Sequence, residues 1–408
     1  MSPARTLDAA IGDVVREGNC TGCGLCVAID GGLGMTLDAE GFNRPARVGR
    51  RESPRSEADD VRVFESACPG VRVRAQFPNG ATRHPTMGPV VQAWRAWATD
   101  PETRYVGSSG GTLTALAAWL VDTGRVPRAI GAAQAPANPR RTVSVQLTTR
   151  DEALAAAGSR YAPVSTCAAI GAADPTGAVI AKPCEASALR AFAGATDTEA
   201  PLILSFYCAG TPSQHATDSL AAELGAPAGE PVRRLWYRGH GWPGSFTVER
   251  ADASIGAVSY DESWGSRLGP SVQWRCKVCA DGVGESSDIT AADLWHADER
   301  GYPDFTEGAG VSALIARTER GRQVVLDAAA SGILTLEPLD IFDLDVVQPL
   351  QRQRRLTLAG RLLGTRLAGG ATPRYTGFGL VALALPRLRE IARVARATRA
   401  RRLARKLP

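Results

Sequence analysis

Cys20-Thr21-Gly22-Cys23-Gly24-Leu25-Cys26 is a short stretch in which every third residue is a cysteine. Its two glycines let the backbone curl, so that all three thiolates can point at one centre. A fourth ligand is required, and Cys68-Pro69 supplies a candidate, because the fourth ligand of a bacterial ferredoxin cluster is a remote Cys followed by Pro. Cys26 is followed by Val-Ala-Ile-Asp, so the run that would build another cluster is missing. The spacing predicts one [4Fe-4S] cluster held by Cys20, Cys23, Cys26 and Cys68.

The alternative interpretations of these cysteines are a zinc site and simple packing in a core. Zinc knuckles usually combine two CxxC pairs or include His, and His84 is the only His in residues 1–85.

The first thirty residues mix charged residues with short apolar pieces, so we expect no secretory signal and a cytoplasmic protein. Nine cysteines in such a protein indicate metal or redox chemistry more than disulfides.

Length and charge limit the remaining classes. A chain of 408 residues that is 44% hydrophobic can bury a large core and form two or three domains. No uncharged apolar stretch reaches the ~20 residues of a spanning helix. The net charge of +5 divides into +8 for residues 387–408 and −3 for the rest, so the main body is not expected to bind nucleic acid. The basic end can contact anionic lipid as a peripheral membrane helix, contact an acidic protein, or remain solvated.

The composition and periodicity of the sequence change twice along the chain, which predicts three domains. Residues 1–85 are rich in Gly, Pro and charge, which suits a loop-rich, ferredoxin-like module organised by a metal. Residues 86–344 alternate strand-like and helical patterns, as in an α/β core. Residues 345–408 form a basic helical tail with a break at residues 368–373. The predicted strands are Val143 to Leu147, Ala178 to Ala181, Leu202 to Tyr207, Val232 to Tyr237 and Ser312 to Ala316. The predicted helices are Thr112 to Asp122, one opened by a Thr149/Glu152 capping box, and Pro212 to Leu224.

Four further cysteines make a second candidate set: Cys184, Cys208, Cys276 and Cys279. Cys184 and Cys208 each follow a predicted strand, where open α/β sheets present their ligands. Lysine usage adds a clue, because only three Lys stand beside 44 Arg, and Lys182 and Lys277 flank this set. An ammonium group beside an anionic cluster would stabilise its reduced form and could also contact an anionic cofactor. The alternative is ordinary buried cysteines with solvated lysines, and Cys167 is interpreted as a core thiol.

A glycine-serine loop precedes the predicted helix at residue 112. Gly107, Ser108, Ser109, Gly110 and Gly111 could offer backbone N–H groups to a phosphate at the helix start. A plain turn before a helix is the more common meaning of such a loop. The loop matches neither a Walker sequence nor a GxGxxG fingerprint.

Two more polar stretches combine glycine with hydrogen-bonding or stacking groups: Gly158-Ser159-Arg160-Tyr161 and Arg238-Gly-His240-Gly-Trp242-Pro-Gly244. His240 is a candidate proton donor beside a flavin, and the alternative is a loop histidine held by backbone hydrogen bonds. Asp288 and Asp293 follow the CxxC pair of Cys276 and Cys279. They could line the same crevice as that pair, or they could cap a strand.

Taken in order, these motifs resemble the coenzyme F420 hydrogenase/dehydrogenase beta-subunit family. The resemblance runs through CTGCGLC, CPG, GSSGG, GSRY, AKPCEASALR, FYC and CKVCADGVGESSDI, within residues 15–335. The residues between Cys26 and Cys68 are similar to those of bacterial members associated with polysaccharide synthesis. The basic tail lies outside the family pattern.

The resemblance implies FAD at the glycine-serine loop, a [4Fe-4S] cluster on Cys184, Cys208, Cys276 and Cys279, and a ferredoxin-like cluster at the N-terminus. Ser159, Arg160, Tyr161, Lys182 and Lys277 join the loop as expected cofactor-binding residues. The family includes proteins that exchange hydride with coenzyme F420 and reductases that take electrons from ferredoxin, so the substrate is not inherited with the fold.

Three functions follow from this sequence. The first is an oxidoreductase that relays electrons from a ferredoxin-like donor through two [4Fe-4S] clusters to FAD and an organic substrate. The second is an oxidoreductase of the deazaflavin coenzyme F420. The third is a non-catalytic electron-transfer subunit of a larger complex, docked through the Arg-rich tail.

Overall fold

The structure is a computed structural model that describes residues 5–295 and 306–404. Its helices in the described residues are α1 (Leu7–Arg16), α2 (Leu25–Ile29), α3 (Glu57–Ala67), α4 (Pro101–Val106), α5 (Thr112–Asp122), α6 (Arg150–Ala155), α7 (Pro183–Ala195), α8 (Gln214–Glu223), α9 (Tyr260–Glu262), α10 (Trp274–Lys277), α11 (Glu319–Ala330), α12 (Ile341–Val347), α13 (Pro349–Leu367), α14 (Leu380–Ala384) and α15 (Leu388–Ala404). Its strands there are β1 (Leu33–Leu37), β2 (Asn43–Arg47), β3 (Arg72–Arg74), β4 (Thr82–His84), β5 (Gly88–Val90), β6 (Gln92–Ala98), β7 (Ala129–Ala135), β8 (Asn138–Leu147), β9 (Ala178–Ala181), β10 (Leu202–Phe206), β11 (Val232–Trp236), β12 (Ser245–Arg250), β13 (Ile255–Ser259), β14 (Ile289–Asp293), β15 (Ser312–Ala316), β16 (Leu334–Pro338) and β17 (Arg374–Thr376).

An eight-stranded mixed sheet forms the centre, in the order β16-β6-β15-β14-β10-β9-β7-β8. Strands β7, β9, β10 and β14 pair in parallel, and the outer strands pair antiparallel. The α/β core is therefore confirmed. The expected strands β9 and β15 have the predicted bounds, and β10 and β11 each end one residue earlier than predicted.

Both faces of the sheet are covered, because neighbouring residues of a strand point to opposite sides. Ala178 of β9 belongs to a core built with α5, α6 and α11. Val179, the next residue, belongs to a second core built with α1, α2, α3 and α7. The N-terminal residues are thus packed directly on the sheet that carries the other motifs.

The helix starts follow local chemistry that the sequence predicted. Thr149 and Glu152 form the expected capping box of α6. α5 begins at Thr112. The preceding residue, Gly111, has a left-handed backbone, and no side chain caps the start of the helix. α8 begins at Gln214 rather than Pro212, because the Ser213 hydroxyl caps it by accepting from the backbone N–H of His215.

Residues 1–85 contain more regular structure than expected. The prediction of few helices and strands was wrong, since α1 and α3 have 10 and 11 residues and β1 pairs with β2 as a hairpin. Side chains of Thr6 and Ser56 cap the two helices. Their buried positions are spaced as in amphipathic helices, but each run is short and flanked by charge, which hid the pattern.

The residues after Asp345 also pack on the body. Strand β17 pairs with β3, and α13 lies against α15. Among the described residues, no helix is both long and apolar enough to cross a membrane.

Candidate redox site

The first cysteine set, Cys20, Cys23, Cys26 and Cys68, lines one cavity of about 380 Å³, counted with its part open to solvent. Cys26 lies in the first turn of α2, and Cys68 is the residue that ends α3. The walls of the cavity are mostly apolar and include Ile11, Met35 and Phe64. The structure therefore brings together the four residues that the sequence assigned to one cluster.

Gly24 makes this arrangement possible. Its backbone has a φ of 85°, and a Cβ there would lie 2.9 Å from the backbone nitrogen of Ala168. Only glycine fits such a left-handed position pressed against another backbone. The loop can then carry Cys23 into the cavity and start α2 at Leu25.

Burial raises the pKa of the thiols of Cys20, Cys26 and Cys68, because a low-dielectric environment disfavours a thiolate; at Cys20 the charge of Arg44 offsets only part of this effect. Cys23 differs, since a hydrogen bond from the Cys167 side chain lowers its pKa to about 7. Cys167 is 1% exposed, and its backbone N–H donates to the Cys23 carbonyl at 3.1 Å. The sequence left Cys167 as a core thiol, and the structure places it in contact with the first set.

The second cysteine set gathers from three separate segments. Strands β9 and β10 are parallel neighbours with Ala181 opposite Ser205, so Cys184 and Cys208 leave the same edge of the sheet. Burial and then the charge of the neighbouring Cys276 thiolate raise the pKa of Cys208 to about 12, and Cys279 acts in the same direction. The backbone N–H of Thr211 points at the Cys276 sulfur, 3.4 Å away.

Cations surround the second set. Arg354 donates to the carbonyls of Cys208 and Ala209 at 2.9 and 2.6 Å. Lys182 is 7% exposed, and its ammonium group donates to Glu185 at 2.6 Å and to the Val164 carbonyl at 2.8 Å. Lys182 thus lies beside this set, as expected, with an ion-pair partner of its own.

Arg275 lies between the two sets, and sequence reasoning missed it although it directly precedes Cys276. Its side chain is 1% exposed, and Nη2 donates to the carbonyl of Pro69 at 2.8 Å, next to Cys68. Its Nε and Nη1 have no hydrogen-bond partner. Burial by itself would lower the pKa of Arg275, but electrostatic interaction with Tyr375, Cys279 and Cys276 outweighs burial and raises the pKa. Unpartnered buried N–H groups facing thiolates suit an anionic cluster between them.

Among the described residues, no three Cys, His, Asp or Glu side chains converge closely enough to hold one metal ion. A tetrahedral ion draws its ligands to about 2.3 Å, whereas a cluster carries four thiolates on its separate iron atoms. The first set provides four cysteines spread around a cavity, which fits the four thiolate ligands of a cluster. Beside the second set, Arg275 has N–H groups without a partner, which could donate to an anionic cluster.

A third region combines the loops 105–111, 158–161 and 236–244, which we call the three-loop site. The Ser108 hydroxyl accepts from the backbone N–H of Ser159 at 2.7 Å, and the N–H of Gly241 donates to the Tyr105 carbonyl at 2.9 Å. Two glycines with positive φ allow the contact: a Cβ at Gly158 or Gly239 would lie 2.6 or 2.5 Å from a carbonyl oxygen of the facing loop. Three motifs that are separate in the sequence therefore meet.

The predicted residues of this site differ in their surroundings. Gly107, Ser109, Gly110 and Gly111 are buried, and Ser108 is half-buried. The guanidinium of Arg160 donates to Thr142 Oγ1 and to the Leu235 carbonyl, both at 2.8 Å, so it ties β8 to β11. Tyr161 packs against Trp264 with ring centroids 5.1 Å apart. A cofactor role for these residues remains a prediction.

His240 lies at the rim of the three-loop site. Its φ of 55° is a left-handed conformation that non-glycine residues seldom adopt and that is often found at functional sites. Its ring is half-buried, 5.0 Å from the Trp236 ring and 6.0 Å from Tyr105. Burial and the charge of Arg234 lower the pKa of His240, so its neutral form dominates at neutral pH.

Arg238 lies at the centre of this site. The sequence analysis included it only as the first residue of the 238–244 loop and gave it no role of its own. The side chain is 2% exposed, donates to Asp293 Oδ2 at 2.6 Å, and leaves Nη2 without a partner. Its guanidinium carbon lies 4.7, 4.6 and 5.0 Å from the ring centres of three aromatic side chains, Trp242, Tyr260 and Trp295. The three-loop site therefore contains a buried cation with one unpartnered N–H group among aromatic rings.

Asp288 and Asp293 have different roles. Asp293 belongs to the three-loop site through Arg238. Asp288 accepts from the backbone N–H of Ile203 at 2.9 Å and forms ion pairs with Arg190 and Arg320, so its role is structural. No sequence signal separated the two, since both follow the same CxxC pair.

Comparison with family models decides the relationship. The model for the coenzyme F420 hydrogenase/dehydrogenase beta subunit N-terminus matches residues 93–171, and the model for its C-terminus matches residues 176–341. This chain belongs to that family. The three-loop site and the second cysteine set lie within the matched residues, whereas the first set and the helices from α13 onward lie outside them.

A solved structure agrees with this assignment at the level of the fold. A chain of the F420-reducing [NiFe] hydrogenase complex from Methanosarcina barkeri, in a xenon derivative, is 21% identical with a TM-score of 0.55. The alignment covers 72% of this family member and 98% of that chain. No curated protein matches the chain.

Proposed function

We propose that this family member is an iron–sulfur flavoprotein that takes electrons from a ferredoxin-like donor and delivers them through two [4Fe-4S] clusters and FAD to an organic substrate. The observation that carries the proposal is the convergence of the two cysteine sets, joined by Arg275 and Cys167. When bound, the clusters would carry single electrons and the flavin would couple them to two-electron chemistry.

The surroundings of the two cysteine sets support a direction for the electrons. The first set sits among mostly apolar side chains with one cation, Arg44, beside Cys20, whereas three cations, Lys182, Arg275 and Arg354, lie around the second set. Positive charge favours the more negative, reduced form of a cluster and raises its potential. Electrons arriving at the first set would therefore move downhill to the second.

The three-loop site supports FAD and substrate binding. The first turn of α5 has no side-chain cap and can receive an anionic phosphate, although most of the loop before it is buried. Arg238 and its aromatic neighbours can hold a planar ring, and its unpartnered Nη2 can donate to that ring or to the substrate. His240 would serve as a proton-transfer group at the rim, where its neutral form can accept a proton that accompanies hydride chemistry.

The solved relative favours one other substrate, because its complex is named as F420-reducing. We therefore propose the deazaflavin coenzyme as an alternative electron partner at the three-loop site. Adding the reduced coenzyme to the anaerobic protein would bleach the flavin if this alternative holds. That relative also belongs to a complex, so a partner protein that remains bound through purification would favour an electron-transfer subunit.

The first test is the iron, acid-labile sulfide and flavin content of anaerobically purified protein, with spectra before and after dithionite. We expect about eight iron, about eight sulfide and about one FAD per chain. Zinc without flavin would overturn the proposal, and about four iron would remove one of the two cysteine sets from it.

Single substitutions then assign each cluster. Cys26→Ser is expected to remove the first cluster, and Cys208→Ser the second, each leaving about four iron per chain. Cys167→Ser is the control, because Cys167 is a buried cysteine that belongs to neither set, and this variant is expected to keep about eight iron. The same iron content in all three variants would contradict the assignment.

A further inference from the structure

The C-terminal cap, residues 349–404, is held on the loops of both cysteine sets. Arg361 donates to the Lys277 carbonyl at 3.0 Å, within the CxxC loop of the second set. The guanidinium of Arg402 lies 4.8 Å from the centre of the Trp274 ring. On the other side, the Asn19 amide, next to Cys20, donates to the Ala371 carbonyl at 3.2 Å. The cap therefore lies close to both clusters of the proposed relay.

The apolar side of α15 is used inside the cap. A Cβ at Gly360 of α13 would lie 2.7 Å from the Ile391 carbonyl, and one at Gly364 would lie 2.3 Å from the Ala395 carbonyl. The two glycines let the helices approach closely, and Ile391 and Ala395 are 8% and 4% exposed. An interfacial membrane helix needs its apolar side free, and here α13 covers it.

The outer side of α15 is cationic. Arg389, Arg393 and Arg396 are exposed and spaced at i, i+4 and i+7, which places them on one stripe of the helix. The residues 388–404 contain six Arg and a single acid, Glu390, whose carboxylate accepts from Gln353 at 2.6 Å. The exposed residues between the arginines are alanines, Ala392, Ala397 and Ala400, which offer little apolar surface for insertion into lipid. Two large exposed apolar side chains, Val381 and Leu385, lie just before this helix, and a third, Leu388, is its first residue.

We propose that this arginine stripe is the docking surface for a small acidic electron-carrier protein. The inference rests on the proposed function, since such a carrier has a purpose only if the cysteine sets hold clusters. Arg beside exposed apolar side chains is typical of protein interfaces, and opposite charge steers the partner into its orientation. Each encounter would move one electron: the carrier is oxidised by one, a cluster of this chain is reduced by one, and no bond changes.

The test is binding of an acidic two-cluster [4Fe-4S] ferredoxin, by titration calorimetry at low and high ionic strength. Arg389→Glu/Arg393→Glu/Arg396→Glu is expected to weaken binding by about tenfold or more and to remove most of its salt dependence. The control Arg50→Glu/Arg62→Glu/Arg233→Glu changes the net charge equally at exposed positions outside the cap and should bind like the unsubstituted chain. Thermal unfolding of both variants should match that of the unsubstituted protein.

Other outcomes would overturn the inference. Equal weakening by the two triple variants, or no ferredoxin binding at low ionic strength, would remove the docking surface. If the substitutions abolished pelleting with vesicles of phosphatidylcholine and phosphatidylglycerol but left ferredoxin binding unchanged, the stripe would be a lipid contact. Iron, sulfide and flavin content is measured on the same preparation. If the cofactors are present but ferredoxin does not bind, the docking surface is wrong; if the cofactors are absent, the proposed function itself is wrong.

Discussion

The two cysteine sets differ in how the chain builds them. Three residues of the first set lie in one seven-residue loop, and its cavity is lined mainly by apolar side chains of the N-terminal residues. The second set comes from two strand ends and a CxxC loop, and its surroundings are basic. A set with three ligands on one loop should therefore tolerate damage to the sheet better than a set whose ligands the sheet brings together.

The largest expected effect comes from removing a buried carboxylate that fixes the elements next to each set. Asp288 ties β10 to α7 and α11, so Asp288→Asn should lower the free energy of unfolding by about 3–5 kcal/mol and reduce the iron held by the second set. Asp60 is the counterpart for the first set, because it is fully buried in α3, which Cys68 follows, and is paired with Arg51 and Arg55. Denaturant unfolding and iron content of both variants check the contrast.

Asp60→Asn should reduce the iron of the first set and spare the second. Loss of iron from both sets in either variant would mean that the two sites fold as one unit. The comparison between a local and an assembled site would then fail.

An intermediate effect is expected from the cations. Arg275→Gln should lower the midpoint potential of the second cluster by about 60 mV, a tenfold change in a one-electron equilibrium, because a buried positive charge is lost. Arg44→Gln is the counterpart, since Arg44 is the cation whose charge acts on Cys20 of the first set. Redox titrations followed by electron paramagnetic resonance would separate the two signals. A higher potential at the first cluster than at the second would reverse the proposed direction of flow.

The smallest expected effect is a pH dependence. Burial raises the pKa of Asp288, but Arg190 and Arg320 outweigh it, so its pKa lies below the ordinary 3.8. A carboxyl with a lowered pKa stabilises the fold fully above the unfolded pKa and loses that contribution as pH falls through the folded pKa. The stability difference between the protein and Asp288→Asn should therefore be constant above about pH 4 to 5 and shrink in more acidic solution. Denaturant unfolding across this pH range measures it, and a difference that grows on acidification would contradict the assignment.

Sequence patterns were most useful where neighbours along the chain decide the structure. The capping box at Thr149, the bounds of α5 and β9, and the α/β core followed from local residues. Helices α1 and α3 were missed, because their short apolar runs are interrupted by charge and are stabilised by the sheet they pack against.

The candidate site shows the same division. The glycine-serine loop, the loop at residue 158 and the loop at residue 238 could each be singled out in the sequence, but nothing in it showed that they meet. The backbone contacts among Gly158, Gly239 and their facing carbonyls join them. Nothing in the sequence predicted that Trp295 and Tyr260 belong to the three-loop site, since an isolated aromatic residue is most simply interpreted as part of a hydrophobic core.

The sequence by itself determined the family and the α/β core and divided the cysteines into two candidate sets, since cysteine spacing and strand-end positions are local properties. Only the tertiary structure decided that Arg275 stands between the two sets, that Arg238 lies among aromatic rings, and that the basic C-terminal residues form a cap with an outer arginine stripe. The physical reason is that these features depend on which surfaces are buried against each other, and burial joins residues that are far apart in the chain.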